Sequence, residues 1–153
     1  GSLALVMLEI EHLTNIRHAY GHQVASMVLA DFARRLKGCA TAKNPVAHLG
    51  GDEFAILVEV VPDATYVPRL VDGIQKNLER CFTWGQSQVL LSASIGATYF
   101  EGGMESVGAL IERTDAAVNI AFLNGTHQYI SAPAGKRPAP AATSRARSPA
   151  MAC

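Results

Sequence analysis

The sequence predicts an α+β domain in which a central antiparallel sheet is flanked by helices, in the order β-α-α-β-β-α-β-α-β. Three observations carry this expectation. Short apolar runs (3–8, 54–58 and 89–100) alternate with stretches whose apolar residues recur at helical spacing (24–36, 67–78 and 107–121). Gly50-Gly51 forms a reversal between two strand-like runs and turns them into a hairpin. The length of 153 residues, 49% of them hydrophobic, suits one domain with a full core and is too short for two ordinary ones.

Leu3 to Leu8 is continuously apolar and then breaks to Glu9-Ile10-Glu11, as expected of a central strand buried on both faces that surfaces at its carboxyl end. Leu13 to Tyr20 follows as a short helix stopped by Gly21. Val24, Val28, Leu29, Phe32, Ala33 and Leu36 continue a second helix to about Ala40. Pro45 to Leu49 and Phe54 to Val58 are the hairpin strands. Pro62-Asp63-Ala64 opens a third helix with Val67, Leu70, Val71, Ile74 and Leu78 on one side; Pro68 falls in its first turn, where it is tolerated. Val89 to Phe100 reads as one long core strand. A last helix carries Val107, Leu110, Ile111, Ala117, Val118 and Ala121 and ends near Asn124-Gly125, and Thr126 to Ile130 adds a final strand.

From Pro133 onward Pro, Ala, Ser and Arg dominate without periodicity, so residues 133–153 are expected to form a disordered tail beyond a domain at 3–132. Gly1-Ser2 reads as a cloning remnant, and a chain opening directly in a strand is expected to have lost an upstream sensory domain. No apolar run reaches the ~20 residues that cross a bilayer, and the first residues lack a signal peptide's basic region. No membrane contact by this fragment is expected, and the cytoplasm is the expected compartment. Cys39, Cys81 and Cys153 are widely spaced and contain no Cys-x-x-Cys pair, which indicates neither a disulfide framework nor a zinc site. The formal net charge is zero, but residues 1–132 hold nine Lys and Arg against thirteen Asp and Glu. A mildly acidic domain is a poor nucleic-acid binder, because phosphate backbones need clustered cations.

The hairpin turn Gly50-Gly51-Asp52-Glu53-Phe54 is the most specific feature. Its glycines permit positive φ and close approach of a ligand, and Asp52 offers hard oxygens to a cation. A phosphate with its magnesium suits such a turn. Three further motifs accompany it: Tyr20-Gly21-His22, Leu91-Ser92-Ala93-Ser94-Ile95-Gly96 and Arg113-Thr114-Asp115-Ala116-Ala117. In these motifs, their order and their spacing, residues 3 to 131 resemble the GGDEF domains of bacterial diguanylate cyclases, which join two GTP molecules into cyclic di-GMP. The resemblance implies a nucleotidyl-cyclase-like fold, related in topology to ferredoxin-like and polymerase-palm sheets, with each of two facing domains presenting one GTP.

The resemblance also implies roles. A ribose 3′-hydroxyl attacks an α-phosphate, so Mg2+ must neutralise phosphate charge and lower the hydroxyl's pKa. Glu9 and Asp52 align with the family's metal ligands, and Asp52 and Glu53 with its catalytic carboxylates. Glu9 replaces the usual Asp, which moves the carboxylate by roughly 1.5 Å. Glu11, two residues on, is a possible substitute on the same face. Gly50 and Gly51 would approach the substrate, and Arg17 and Ser26 occupy the guanine-recognition positions, where the family has Asn and Asp. Thr14, Phe122 and Thr126 stand at triphosphate contacts that are Lys or Arg in the family. Thr41-Ala42-Lys43-Asn44 replaces the Arg-x-x-Asp of the product-inhibition site. His48 stands where active relatives carry Arg.

Two functions fit this pattern. The favoured one is a catalytically degenerate regulatory module of cyclic di-GMP signalling, which senses GTP or another nucleotide or works through a homodimer or a partner signalling protein. The alternative is an active, weak diguanylate cyclase. Of the remaining residues, His18 and His22 lack a third zinc ligand, and Trp84 reads as part of a polar loop, more often packed against the sheet than exposed to a partner.

Overall fold

The computed structural model describes residues 2–100, 102–131 and 151–152. β1 (Leu3–Ile10) leads into α1 (Leu13–Tyr20) and α2 (His22–Cys39), then the hairpin of β2 (Val46–Gly50) and β3 (Glu53–Val58). α3 (Tyr66–Leu78), a second hairpin of β4 (Phe82–Trp84) and β5 (Ser87–Leu90), β6 (Ala93–Phe100), α4 (Val107–Leu123) and β7 (Gln128–Ile130) follow. β8 (Met151–Ala152) pairs with β5. The main sheet runs β2-β3-β1-β6-β7, and β4-β5-β8 form a separate small sheet. Residues 133–150 and Cys153, the bulk of the expected tail, lie outside the described residues.

The α+β architecture matches the sequence expectation, with three refinements. β7 lies parallel to β6, whereas β2, β3, β1 and β6 are mutually antiparallel, so the sheet is mixed at one edge. α4 supplies the crossover that a parallel neighbour requires. The apolar run 89–100 divides, because Val89 and Leu90 pair outside the main sheet and β6 begins at Ala93. Phe82–Trp84 is a strand, not loop; three residues are too few to display alternation, and Gly85 at φ 54° makes the turn after it.

β1 explains how the two layers form. Ala4, Val6, Leu8 and Ile10 are buried, and they join Phe54, Ile56 and Val58 of β3 in a core closed by α1, α2 and α3. Phe32 of α2 packs on Phe54 with ring centroids 5.0 Å apart. The odd-numbered face of β1 is less completely covered: Leu3, Leu5 and Glu9 stay half-buried, so the strand is not buried on both faces throughout. α4 covers that face where it crosses β1 and β6. Its approach depends on Gly96, where a Cβ would lie 2.4 Å from the Val118 nitrogen and 2.7 Å from the Ala117 carbonyl carbon.

Polar anchors fix the helices. Gly21, at φ 91°, ends α1 by donating its N–H to the Arg17 carbonyl at 2.9 Å. Ser106 caps α4 by accepting from the Ala109 N–H at 3.1 Å. Arg113 forks onto Glu105 at 2.9 and 3.0 Å and donates to the Tyr99 carbonyl at 2.7 Å, which ties α4 to the end of β6. Arg35 of α2 donates to the carbonyls of Asn77, Arg80 and Cys81 and lies 3.7 Å over the Phe82 ring, clamping α2 to the end of α3. Cys39 is a free, half-buried thiol. No helix among the described residues is long and apolar enough to cross a membrane.

Candidate functional site

The β2–β3 turn is built to hold Asp52 at the end of β1. Gly50 and Gly51 take φ of 112° and 54°, and the ladder shifts register between His48 and Gly50. The Ile10 N–H donates to the Asp52 carbonyl at 2.9 Å, so the turn is fastened to β1 beside Glu9. His48 props it from below: its ring stacks on Phe54 at 4.4 Å and its Nε2–H donates to the Gly51 carbonyl at 2.8 Å. A side chain that sequence reasoning left without a role thus supports the signature turn.

Glu9 pairs across the sheet with Glu53 on one side and Ser94 on the other. Partial burial pushes its carboxyl pKa up, and the charges of Asp52, Glu53, Asp115 and Glu11 push it further. Among the described residues no three such side chains are grouped closely enough to form a metal site by themselves. Glu9 and Asp52 offer two carboxylates to one cleft, and Mg2+ takes one or two and fills its octahedron with water or phosphate oxygens. Asp115, on α4, is one of the charges that act on Glu9, a role that its sequence motif does not reveal.

Glu9 and Asp52 line one cleft of about 350 Å³ between the end of β1, the start of α1 and α4. Glu11, His12, Thr14, Asn119 and Phe122 are among its other lining residues. His12 adopts φ 63°, a left-handed backbone rare outside glycine, as the chain leaves β1 for α1. Several of the residues singled out from the sequence do not line this cleft. Arg17 is half-buried on α1 and Ser26 is exposed on α2, and neither belongs to its lining. Gly50, Gly51 and Glu53 shape the turn without lining the cleft. Thr126 hydrogen-bonds Asn124 and the Gln128 carbonyl. Asn44, at the position of the inhibitory-site Asp, is buried and donates to the Tyr66 hydroxyl at 2.7 Å.

Glu11 is not a spare metal ligand. It is buried and accepts from the Ser92 hydroxyl at 2.9 Å, from the Ser94 hydroxyl, and from His127 Nδ1 at 2.8 Å. Burial raises its pKa, but the bonds from Ser94, Ser92 and His127, with the attraction of His127, outweigh that and hold it below the ordinary carboxylate value. The strand period places Glu11 on the correct face; what it cannot show is that three partners, 81 to 116 residues away, already use its oxygens.

A family model of the diguanylate cyclase GGDEF domain matches residues 1–128. The chain belongs to the GGDEF family. MucR of Pseudomonas aeruginosa, a bifunctional diguanylate cyclase/cyclic di-GMP phosphodiesterase, is 28% identical to this GGDEF domain over 126 residues, covering 82% of this chain and 18% of MucR. Diguanylate cyclase A of Treponema denticola is 26% identical over 128 residues, 83% of this chain and 34% of that protein. The chain therefore spans about a fifth to a third of the length of these curated relatives. Among solved structures, an EAL/GGDEF domain protein from M. capsulatus superposes with TM-score 0.79 at 25% identity, covering 87% of this chain and 86% of that one. The GGDEF domain of TpbB (YfiN) from Pseudomonas aeruginosa superposes with TM-score 0.78 at 25% identity, covering 86% and 83%.

Proposed function

We propose that this GGDEF domain is a catalytically degenerate, regulatory module of cyclic di-GMP signalling. The observation that carries this reading is the lining of the carboxylate cleft. Glu9, Glu11 and Asp52 contribute three acids, and neither Lys nor Arg is among its lining residues. A triphosphate entering it meets no Lys or Arg among these residues, and each such charge-assisted contact is worth about 1.5–3 kcal/mol. Phe122, 56% exposed, presents an apolar ring where the family resemblance puts a phosphate-binding cation. Glu9 and Asp52 would hold Mg2+, which when bound supplies charge neutralisation for phosphate oxygens. Glu53 and Asp115 would strengthen that site through their charge, and the glycine turn would keep Asp52 in place.

On this reading the domain works in the cytoplasm within a longer signalling protein, through a homodimer or a partner protein, with an upstream sensory domain as its input. The alternative, a weak diguanylate cyclase, is favoured by Glu9 and Asp52 facing the same cleft. The two are separated by incubating the protein with GTP and Mg2+ and measuring cyclic di-GMP against an Asp52→Asn control. The expected result is no product above the control; robust Asp52-dependent product would overturn the proposal. Calorimetry with GTP and Mg2+ then distinguishes nucleotide sensing from action through protein contacts alone.

A further inference from the structure

A second concave surface lies between α2 and the β4–β5 hairpin and shares no lining residue with the carboxylate cleft. It has two adjoining chambers of about 560 and 340 Å³. Asp31, Arg34, Arg35 and Thr83 line both; Asn77 and Arg80 extend one chamber, and Met27, Phe82 and Trp84 extend the other. One end is therefore cationic and the other aromatic.

The cationic end carries charge that the fold does not consume. Three arginines face one carboxylate there, an excess of 3 − 1 = 2 positive charges among the lining residues, in a domain where acids outnumber bases. Asp31 is taken up by ion pairs to both Arg34 and Arg35. Arg35 is taken up by three carbonyls and the Phe82 ring. Arg34 and Arg80 are exposed, and of Arg80's donors one bonds the Asn77 side chain at 3.2 Å. Each guanidinium has five N–H donors, so most remain for a ligand. Burial first, and then the charges of Arg80 and Arg34, lower the Arg35 pKa, which is the signature of positive potential concentrated here.

At the aromatic end Trp84 is half-buried and meets Tyr20 edge-on, with centroids 5.1 Å apart and planes at 76°. The indole lies in the chamber that Arg34 and Arg35 also line. We propose that this groove binds a nucleoside phosphate, with its phosphate between Arg34 and Arg80 and its base against Trp84. Each chamber has small-molecule dimensions. A single carboxylate would leave half the excess charge unmatched, whereas a phosphate group matches both arginines.

Trp84 is the single tryptophan, so its fluorescence reports on the groove directly. The full chain is titrated with ADP, GDP and adenosine, and pyrophosphate, which would touch only the arginines, is read by its displacement of ADP. Saturable quenching by ADP or GDP is expected, with adenosine and pyrophosphate each binding at least about tenfold more weakly, because each keeps one half of the contacts. Arg80→Ala should weaken nucleotide binding about tenfold and Arg34→Ala/Arg80→Ala about a hundredfold. These side chains are exposed, so unchanged thermal midpoints are expected for the variants. Asp52→Asn should leave the quenching intact, which separates this groove from the carboxylate cleft. Absence of saturable quenching by both nucleotides, insensitivity to the double arginine substitution, equal binding of pyrophosphate, or loss with Asp52→Asn would each overturn the proposal.

Discussion

Gly96→Ala is expected to destabilise the domain by about 2 kcal/mol, and the figure follows from the contact between β6 and α4. The added Cβ would lie 2.4 Å from the Val118 nitrogen, 2.7 Å from the Ala117 carbonyl carbon and 2.9 Å from the Ala117 Cβ. Comfortable carbon contacts begin near 3.5 Å, so α4 must retreat by about 1 Å. Two of the three clashing atoms are helix backbone and have no rotamer to escape into. Overpacking costs about 1–3 kcal/mol, and a backbone clash belongs at the upper end. Alanine's smaller unfolded-state entropy offsets about 0.4–1 kcal/mol. A net 2 kcal/mol lowers the midpoint of a domain this size by roughly 8 °C. Gly38→Ala, inside α2 with no atom within 4 Å of the new Cβ, should instead stabilise by about 0.5–1 kcal/mol. Urea unfolding of both variants tests the pair. A loss under about 0.5 kcal/mol at Gly96, or shifts of the same sign at both sites, would refute the close-approach argument.

Glu9→Gln tests the carboxylate centre. The folded state raises the Glu9 pKa, so its contribution is favourable below the unfolded value and is lost as pH rises through the folded one. The variant should therefore be more stable than the parent at pH 7 without metal, the advantage should vanish on acidification, and Mg2+ should raise the thermal midpoint of the parent alone. Glu11 has the opposite sign: its pKa is lowered, so its stabilisation is present above the unfolded value near 4.5 and lost as pH falls through the folded one. Glu11→Ala should cost about 3–5 kcal/mol at neutral pH, measured by denaturant titration, and flatten the acid limb of the stability profile. Arg35→Met keeps the apolar stem but abandons three carbonyls, and a loss of about 2–3 kcal/mol in the same titration is expected.

Much of the fold is visible in the order of residues because its signals are local. Gly21 ends α1 and begins α2 within one residue, and Gly125, at φ 72°, follows α4 where Asn124-Gly125 announces it. The β4–β5 hairpin escapes because Phe82-Thr83-Trp84 is too short for a period, and its burial depends on Arg35 reaching across from α2. At the site, the turn and Glu9 are legible from the signature and the strand end. The partners of Glu11 are not, since Ser92, Ser94 and His127 meet it only once β1, β6 and β7 are assembled. Asp115 is hidden for the same reason: its proximity to Glu9 depends on how closely α4 lies on the sheet. Arg17 and Ser26 illustrate the converse, because alignment to a ligand position does not carry a side chain into the cleft.

The contact of Glu11 with His127 joins residues 116 positions apart, almost the whole length of the domain. Closing so long a loop is entropically costly, and it precedes any gain from the contact. His127 also offers its carbonyl to the Ile95 N–H and the Gln75 side chain, each at 2.9 Å, so one residue near the domain's end latches β1, α3 and β6 together. If the contact forms after the folding transition state, Glu11→Ala raises the unfolding rate and leaves the folding rate nearly unchanged, which stopped-flow unfolding and refolding would read. The domain's first strand and its final turn are held through one residue, although they stand at opposite ends of the folded sequence.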